Sequence, residues 1–322
     1  MSLKVVNLSK RYKDTWALRD ISFDAMPGEI FGIFGPSGSG KTSLLNSIAG
    51  VAKTNGGSVL VDEVDITGLA KPDRGIRTST VSAASVWDAI FRNGSATYNA
   101  ERHKRHLDDA IVGSGRVLLL DEPFRTMDVD SIKARVERIR AARRERGVTV
   151  IFASNDLEQV LSLCDRAAVL VRGEIKQIGT PQEIYERPES RIVAAVTGRN
   201  NLFAARRLSS SKADIPEFLS IDGSHRLFAQ RIERKGLGAL NQNVTLGIRP
   251  EHISISFGAS FPADNLLKAT VTGVRFLGPT TLIELDADGL KIEALVLRLV
   301  GLNTGDECMV GLPPDRIQIF RD

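Results

Sequence analysis

Apolar residues follow two rhythms along this chain. Up to about residue 197, short continuous apolar runs alternate with stretches of helical periodicity. Residues 29–34, 58–61, 117–120 and 148–152 read as short buried strands. Residues 42–49 read as a helix stopped at Gly50, and Ile132, Val136 and Ile139, spaced i, i+4, i+7, predict a one-faced helix through 133–146. Strands alternating with helices predict an α/β domain with a largely parallel sheet. From about residue 199 the runs become short and alternating (244–248, 253–257, 269–276, 281–285, 291–296, 307–310, 316–320), divided by Gly, Pro, Asp and Asn. That pattern predicts an antiparallel β domain, with Val271, Val274, Leu282, Ile283, Leu285, Ile292, Leu295 and Ile317 available for its core. The boundary is expected at Gly198-Arg199-Asn200-Asn201, giving domains 1–197 and 199–322. Ser209-Ser210-Ser211-Lys212 reads as a polar loop inside the second domain.

Two junctions in this pattern carry chemistry. Between strand 29–34 and helix 42–49 stands Gly35-Pro36-Ser37-Gly38-Ser39-Gly40-Lys41-Thr42, followed by Ser43, a complete G-x-x-x-x-G-K-[ST] loop. Its glycines let backbone N–H groups turn inward around phosphates. Lys41 can reach the β- and γ-phosphates and the Thr42 hydroxyl can ligate Mg²⁺. The helix N-terminus adds partial positive charge beneath them. Strand 117–120 then ends in Asp121-Glu122. Downstream of a phosphate loop, Asp121 fits a Mg²⁺-holding aspartate, and Glu122 fits a group that orients or deprotonates an attacking water. The expected ligands are ATP and Mg²⁺.

With these motifs in place, the chain resembles the ATP-binding subunit of an ABC transporter over nearly its whole length. The resemblance rests further on Leu8-Ser9-Lys10-Arg11-Tyr12, Ala17-Leu18-Arg19-Asp20-Ile21-Ser22-Phe23, Asp121-Glu122-Pro123-Phe124 and Asp128. It also rests on Ile178-Gly179-Thr180-Pro181-Gln182-Glu183-Ile184-Tyr185 and Leu246-Gly247-Ile248-Arg249-Pro250-Glu251-His252, which look like the end of the ATPase domain and the entry to a C-terminal TOBE domain in importer subunits. The resemblance implies a P-loop NTPase domain followed by an OB-like barrel, with Tyr12 stacking on adenine and Asp128 in the D-loop. It implies a pair of ATP-binding subunits, either a homodimer or a heterodimer with an intact partner. It also implies ABC permease subunits as partners and a cytoplasmic place on the inner face of the cell membrane.

Several family parts have no sequence to occupy. From Lys41 to Asp121 is only 80 positions, too few for the glutamine loop, helical subdomain and Leu-Ser-Gly-Gly-Gln signature that the family fits there. The first glutamine of the chain is Gln159, and the only adjacent glycine pair upstream of Asp121, Gly56-Gly57, sits in a turn. The segment 82–93, with Val86-Trp87-Asp88-Ala89-Ile90, resembles the start of the helical subdomain, and 110–116 the stretch before the second motif. Where the family has Thr-His-Asp, this chain has Ser154-Asn155-Asp156, and no histidine lies between His106 and His225. Asn155 can hydrogen-bond a phosphate but cannot carry a proton or a charge near neutral pH. Arg125-Thr126-Met127-Asp128 replaces the usual Ser-x-Leu-Asp.

Bulk properties refine this picture. The chain has 322 residues, a net charge of +4 and 42% hydrophobic residues, enough for two ordinary cores. Its two cysteines, Cys164 and Cys308, read as reduced thiols of a reducing compartment. The N-terminus lacks the apolar stretch of a signal peptide, and no apolar run approaches the roughly 20 residues that cross a bilayer. The positive charge over 133–146 reads as a solvated helix face, because no aromatic is interleaved for base stacking, so no nucleic-acid partner is expected. His103-Lys104-Arg105-His106 has two cations between its histidines and no cysteine nearby, which disfavours a metal site. Two readings stay open: an importer subunit impaired in hydrolysis, and a degenerate non-hydrolysing paralogue that binds nucleotide in a regulatory or assembly role. A defective product of an internal deletion is a third.

Overall fold

The computed structural model describes residues 1–80, 96–113, 115–125, 127–209, 215–230, 239–257, 265–297 and 301–321. The expected segment 82–93 and most of the 209–212 loop lie outside them. The chain forms two compact units, Met1–Glu186 and Arg187–Asp322.

The first unit holds two sheets. Strands β1 (Leu3–Tyr12), β2 (Thr15–Ala25), β4 (Gly56–Val61) and β5 (Val64–Asp65) make an antiparallel sheet in the order β2-β1-β4-β5. The second sheet runs β10-β9-β3-β8-β7-β6, from Glu174–Gly179, Arg166–Val171, Ile30–Phe34, Thr149–Ser154, Val117–Asp121 and Ile76–Thr80. All its pairings are parallel except β9 with β10. Strands β3, β7 and β8 are buried at every residue, which is why they read as unbroken apolar runs: a parallel strand covered on both faces has no solvent side to alternate toward. Phe23 of β2 stacks on Phe31 of β3 with ring centroids 4.9 Å apart, joining the two sheets within one core.

Each helix boundary has a local cause. Helix α1 (Lys41–Ile48) starts in the phosphate loop. Helix α2 (Ala96–Val112) is followed by α3 (Val129–Arg146), whose N-terminus is capped by Asp128 accepting from Ser131 N–H at 2.8 Å and whose C-terminus ends at Gly147. Helix α4 (Leu157–Leu163) is capped by Asp156, and before α5 (Pro181–Glu186) Thr180 and Glu183 exchange backbone and side-chain bonds as a capping box. Arg135 and Arg138 of α3 pair with Asp108 of α2, which leaves the basic face of α3 partly engaged within the unit. Among the described residues, no helix is long and apolar enough to cross a membrane.

The second unit opens with α6 (Arg191–Val196) and packs two five-stranded antiparallel sheets around one core. One is ordered β13-β12-β11-β14-β20 and the other β15-β19-β16-β17-β18, where β16 is Asn265–Phe276, β17 Thr281–Ala287, β18 Leu290–Val296 and β19 Glu307–Leu312. Strands β14 (Asn243–Ile248) and β15–β20 (from Ser254–Ser256 to Gln318–Phe320) fall where the alternating pattern placed strands. Strands β11 (Asn201–Arg207), β12 (Glu217–Ser220) and β13 (Arg226–Phe228) are additions to it. The wholly buried Arg249 donates to Arg199 O and to Thr197 Oγ1, both at 3.0 Å, tying the segment after α6 to the sheet.

A fragment of residues 187–322 should therefore melt cooperatively on its own, since a unit of this size with a continuous core can be independently stable. A fragment starting at 199 loses Thr197 and leaves part of a buried guanidinium without its acceptor, a loss of about 1–3 kcal/mol. Circular dichroism melts of the two fragments check this, and an unfolded 187–322 fragment would contradict it.

Candidate nucleotide-binding site

The ends of β3, β7 and β8 and the turn after β9 converge on the phosphate loop. Gly35 leaves β3 with its N–H on Ser154 O at 3.4 Å, and a Cβ there would lie 2.2 Å from Leu170 O, so no side chain fits. Gly40 has φ of +111° and would bring a Cβ to 2.7 Å from Ala17 O. The loop closes through Ser39 N–H to Pro36 O at 3.1 Å, and α1 begins with Leu44 N–H on Gly40 O at 2.9 Å. The turn joining β9 to β10 braces it from the side: Gly173 N–H donates to Ser39 O at 2.8 Å, and Arg19 N–H to Gly173 O at 2.8 Å. The loop's shape is thus held by neighbouring backbone on three sides.

Its charges are arranged around Lys41. The Lys41 ammonium is almost fully buried, donates to Gly35 O at 2.7 Å and lies 3.4 Å from a Glu122 carboxylate oxygen. Glu122 itself has φ of +47°, the left-handed region that a side chain rarely adopts. It is held there by its N–H on Ala153 O at 2.9 Å and its carbonyl accepting Arg125 N–H at 3.1 Å. Backbone strain of this kind is kept only where surrounding structure over-determines it, and here it aims the carboxylate at Lys41. Asp121 ends β7 at 3% exposure. Burial raises its pKa, while a hydrogen bond from the Thr42 hydroxyl works the other way. Its Oδ1 is buried without a hydrogen-bond partner among the described residues. A buried, desolvated carboxylate oxygen beside a threonine hydroxyl is a donor set that fits Mg²⁺.

Every loop residue from Ser37 to Ser43 lines one cleft of about 1020 Å³, together with Glu122, Phe124, Asn155, Asp156 and Gln159. Asn155 Nδ2 lies 3.5 Å from Ser37 Oγ, which puts position 155 at the Ser37 end of the loop. Gln159 bridges Ser154 Oγ at 3.2 Å and Asp156 Oδ2 at 2.9 Å. Tyr12 is not in the cleft lining. It is about half exposed and carries the Lys10 ammonium 4.7 Å from its ring centroid, whereas Trp16, at the start of β2, does line the cleft. Arg125, which stands where the family has serine, lines it as well, as do Arg19 and Arg172, for which the sequence suggested no site role. The Arg172-Gly173 dipeptide, a turn between two apolar runs, was the available signal for the last of these. Asp128, expected in the D-loop, serves here as the cap of α3 and ion-pairs Lys104 at 3.5 Å. The Ser131 hydroxyl and N–H hold its carboxyl well below the usual carboxylate range.

The raised pKa of Asp121 has a sign that can be checked. The protonated acid is favoured by folding, so this group's contribution is fully present below the ordinary carboxylate pKa and is lost as pH rises through the raised folded value. Asp121→Asn should therefore raise the melting temperature of the Mg²⁺-free chain at about pH 7.5 and change it little at about pH 4. The same variant should lose the extra thermal stabilisation conferred by Mg²⁺ with ATP. Thermal melts at the two pH values, with and without Mg-ATP, read both effects.

Comparison with known proteins gives this arrangement its class. Residues 18–94 match the family described as "ABC transporter" and residues 246–320 the "TOBE domain". A molybdate/tungstate import ATP-binding protein, WtpC of Pyrococcus horikoshii, is 28% identical, covering 99% of each chain. That alignment spans 359 positions against 322 residues here, so the relative carries residues for which this chain has none. The spermidine/putrescine import ATP-binding protein PotA of Protochlamydia amoebophila is 29% identical over 89% of this chain and 86% of its own. The maltose/maltodextrin import ATP-binding protein MalK of Mannheimia succiniciproducens is 26% identical over 98% and 94%. A crystal structure of an ATP-binding cassette of an ABC transporter in its ADP conformation superposes with a TM-score of 0.50 at 18% identity, covering 61% of this chain and 98% of that one. This last likeness speaks to the fold alone. The first unit is an ABC-type cassette of P-loop NTPase fold. Over nearly its whole length the chain is similar to import ATP-binding subunits, and it carries an ABC transporter match followed by a C-terminal TOBE domain.

Proposed function

We propose that this chain binds Mg-ATP in the phosphate-loop cleft as the ATP-binding subunit of an ABC importer, and that it turns the nucleotide over slowly. The observation that carries the binding half is the placement of Lys41, Thr42 and Glu122 around one cleft, with Asp121 bonded to the Thr42 hydroxyl, beneath a loop braced by neighbouring backbone. The loop N–H groups and Lys41 would take the phosphates. Thr42 and Asp121 would hold Mg²⁺, which supplies charge neutralisation at the phosphates when bound. Glu122 would orient a water and accept its proton. Asn155 can donate a hydrogen bond at the Ser37 end but cannot share a proton. Only 80 positions separate Lys41 from Asp121, so no glutamine loop or signature is supplied from that interval. A pair of such subunits docked on permease subunits at the inner membrane face is the assembly that this reading entails.

Titration of the full chain with ATP should give saturable one-to-one binding in Mg²⁺ that weakens when EDTA replaces it. A titration without saturation contradicts the reading. The two loss-of-function features favour a second reading, a nucleotide-binding regulator free of any permease. Affinity isolation from detergent-solubilised membranes separates the two: a co-isolated integral membrane protein supports the importer, and its absence supports the regulator.

A further inference from the structure

The cleft holds more positive charge than its carboxylates take up. Lys41 pairs with Glu122 at 3.4 Å, and Arg19 pairs with Glu174 at 3.6 Å. Arg125 and Arg172 also line the cleft, and neither has a carboxylate partner among the described residues. They stand on different sides of the loop. Arg172 precedes Gly173, whose backbone braces Ser39 and Arg19. Arg125 sits one turn from Glu122, its N–H on Glu122 O at 3.1 Å. The Lys41 ammonium, which reaches the β- and γ-phosphates in such loops, touches the same Glu122. Arg125 thus lines the cleft at the close of the turn that begins at Glu122, whose carboxylate meets the ammonium that would reach a third phosphate.

This chain has exchanged two chemistries among the residues that line the cleft. Position 155 carries an amide that stays neutral, and position 125, where the resemblance leads one to expect serine, carries a guanidinium that never loses its charge. A guanidinium presents paired N–H donors that match a phosphate's oxygens, and such charge-assisted bonds are among the strongest available to a side chain. We propose that Arg125 grips the terminal phosphate of a bound nucleoside triphosphate and makes this cleft select triphosphate over diphosphate, supplying from position 125 the charge that position 155 lacks. The proposal rests on the nucleotide reading above. It assigns Arg125 a binding role and leaves turnover limited by the absent glutamine and capping signature.

The test is the ratio of ADP to ATP dissociation constants, measured by calorimetry with Mg²⁺ on the full chain and on Arg125→Ala and Arg125→Lys. Arg125→Ala should weaken ATP roughly 10- to 100-fold, the scale of a lost hydrogen bond to a charged group, and change ADP by less than about twofold. Arg125→Lys should recover part of the ratio, because it restores the charge without the fork. An unchanged ratio in Arg125→Ala, or equal weakening of both nucleotides, overturns the assignment while leaving nucleotide binding intact. A wild-type chain that binds neither nucleotide overturns the underlying reading as well. Matching melting curves for the three proteins show that a change in ratio comes from the side chain and not from unfolding, as expected for an exposed residue.

Discussion

Replacing Lys41 by alanine should cost the chain at least about 100-fold in ATP affinity, the largest single effect expected here. The ammonium is a buried charge at the closed end of the loop, held by Gly35 O, Pro36 O and the Glu122 carboxylate. In loops of this kind the ammonium reaches the β- and γ-phosphates. Removing it deletes a charge-assisted contact to a multiply charged ligand. It also leaves the Glu122 carboxylate without its cation, so that an anionic ligand would meet an uncompensated negative charge. The two losses act in the same direction. Calorimetric titration of the variant reads the affinity, and circular dichroism shows whether the fold is kept. Equal affinity in wild type and variant would mean that nucleotide, if bound, sits elsewhere.

The second large expectation is a negative one: Asn155→His alone should leave ATP turnover close to its starting rate. Position 155 already lies at the Ser37 end of the loop, so the new imidazole would be well placed. Restoring one transition-state contact of this kind is worth ~10²–10³ in rate when the rest of the site is assembled. Groups that act as a unit are strongly non-additive, however, and one of three returns little by itself. The glutamine and the signature have no residues to occupy between Lys41 and Asp121. Grafting a complete helical subdomain between Val81 and Val112 together with Asn155→His is the change expected to recover turnover. Steady-state phosphate release from wild type, Asn155→His and the double change orders the three, and full recovery by the histidine alone would overturn this argument.

What the sequence made legible was what a single stretch of chain determines. Strands β3, β7 and β8 announced themselves because both faces are buried. The loop and the Asp121-Glu122 pair were readable because their residue types and spacing carry the chemistry locally. Strands β11 to β13 were not, because their few buried apolar residues (Phe203 and Ala205 in β11, Phe218 in β12, Leu227 in β13) are interrupted by buried polar ones: Asn201, Ser220 and Glu217, which pairs with Arg226 of the neighbouring strand. The hydrophobic pattern is silent where a carboxylate takes a buried place beside its own cation. The cleft's remaining wall was hidden for a different reason. Trp16, Arg125 and Arg172 come from three separate elements, and only the closing of β2 and the β9–β10 turn against the loop brings them to it.

The decisive measurement is phosphate release by the full chain at ATP concentrations shown by titration to fill the cleft. A filled site with turnover well below roughly 1 s⁻¹, the lower end of ordinary enzyme rates, is the expected result. Turnover at or above that rate, abolished by Glu122→Gln, would contradict it and show that some residue now taken as structural completes the site.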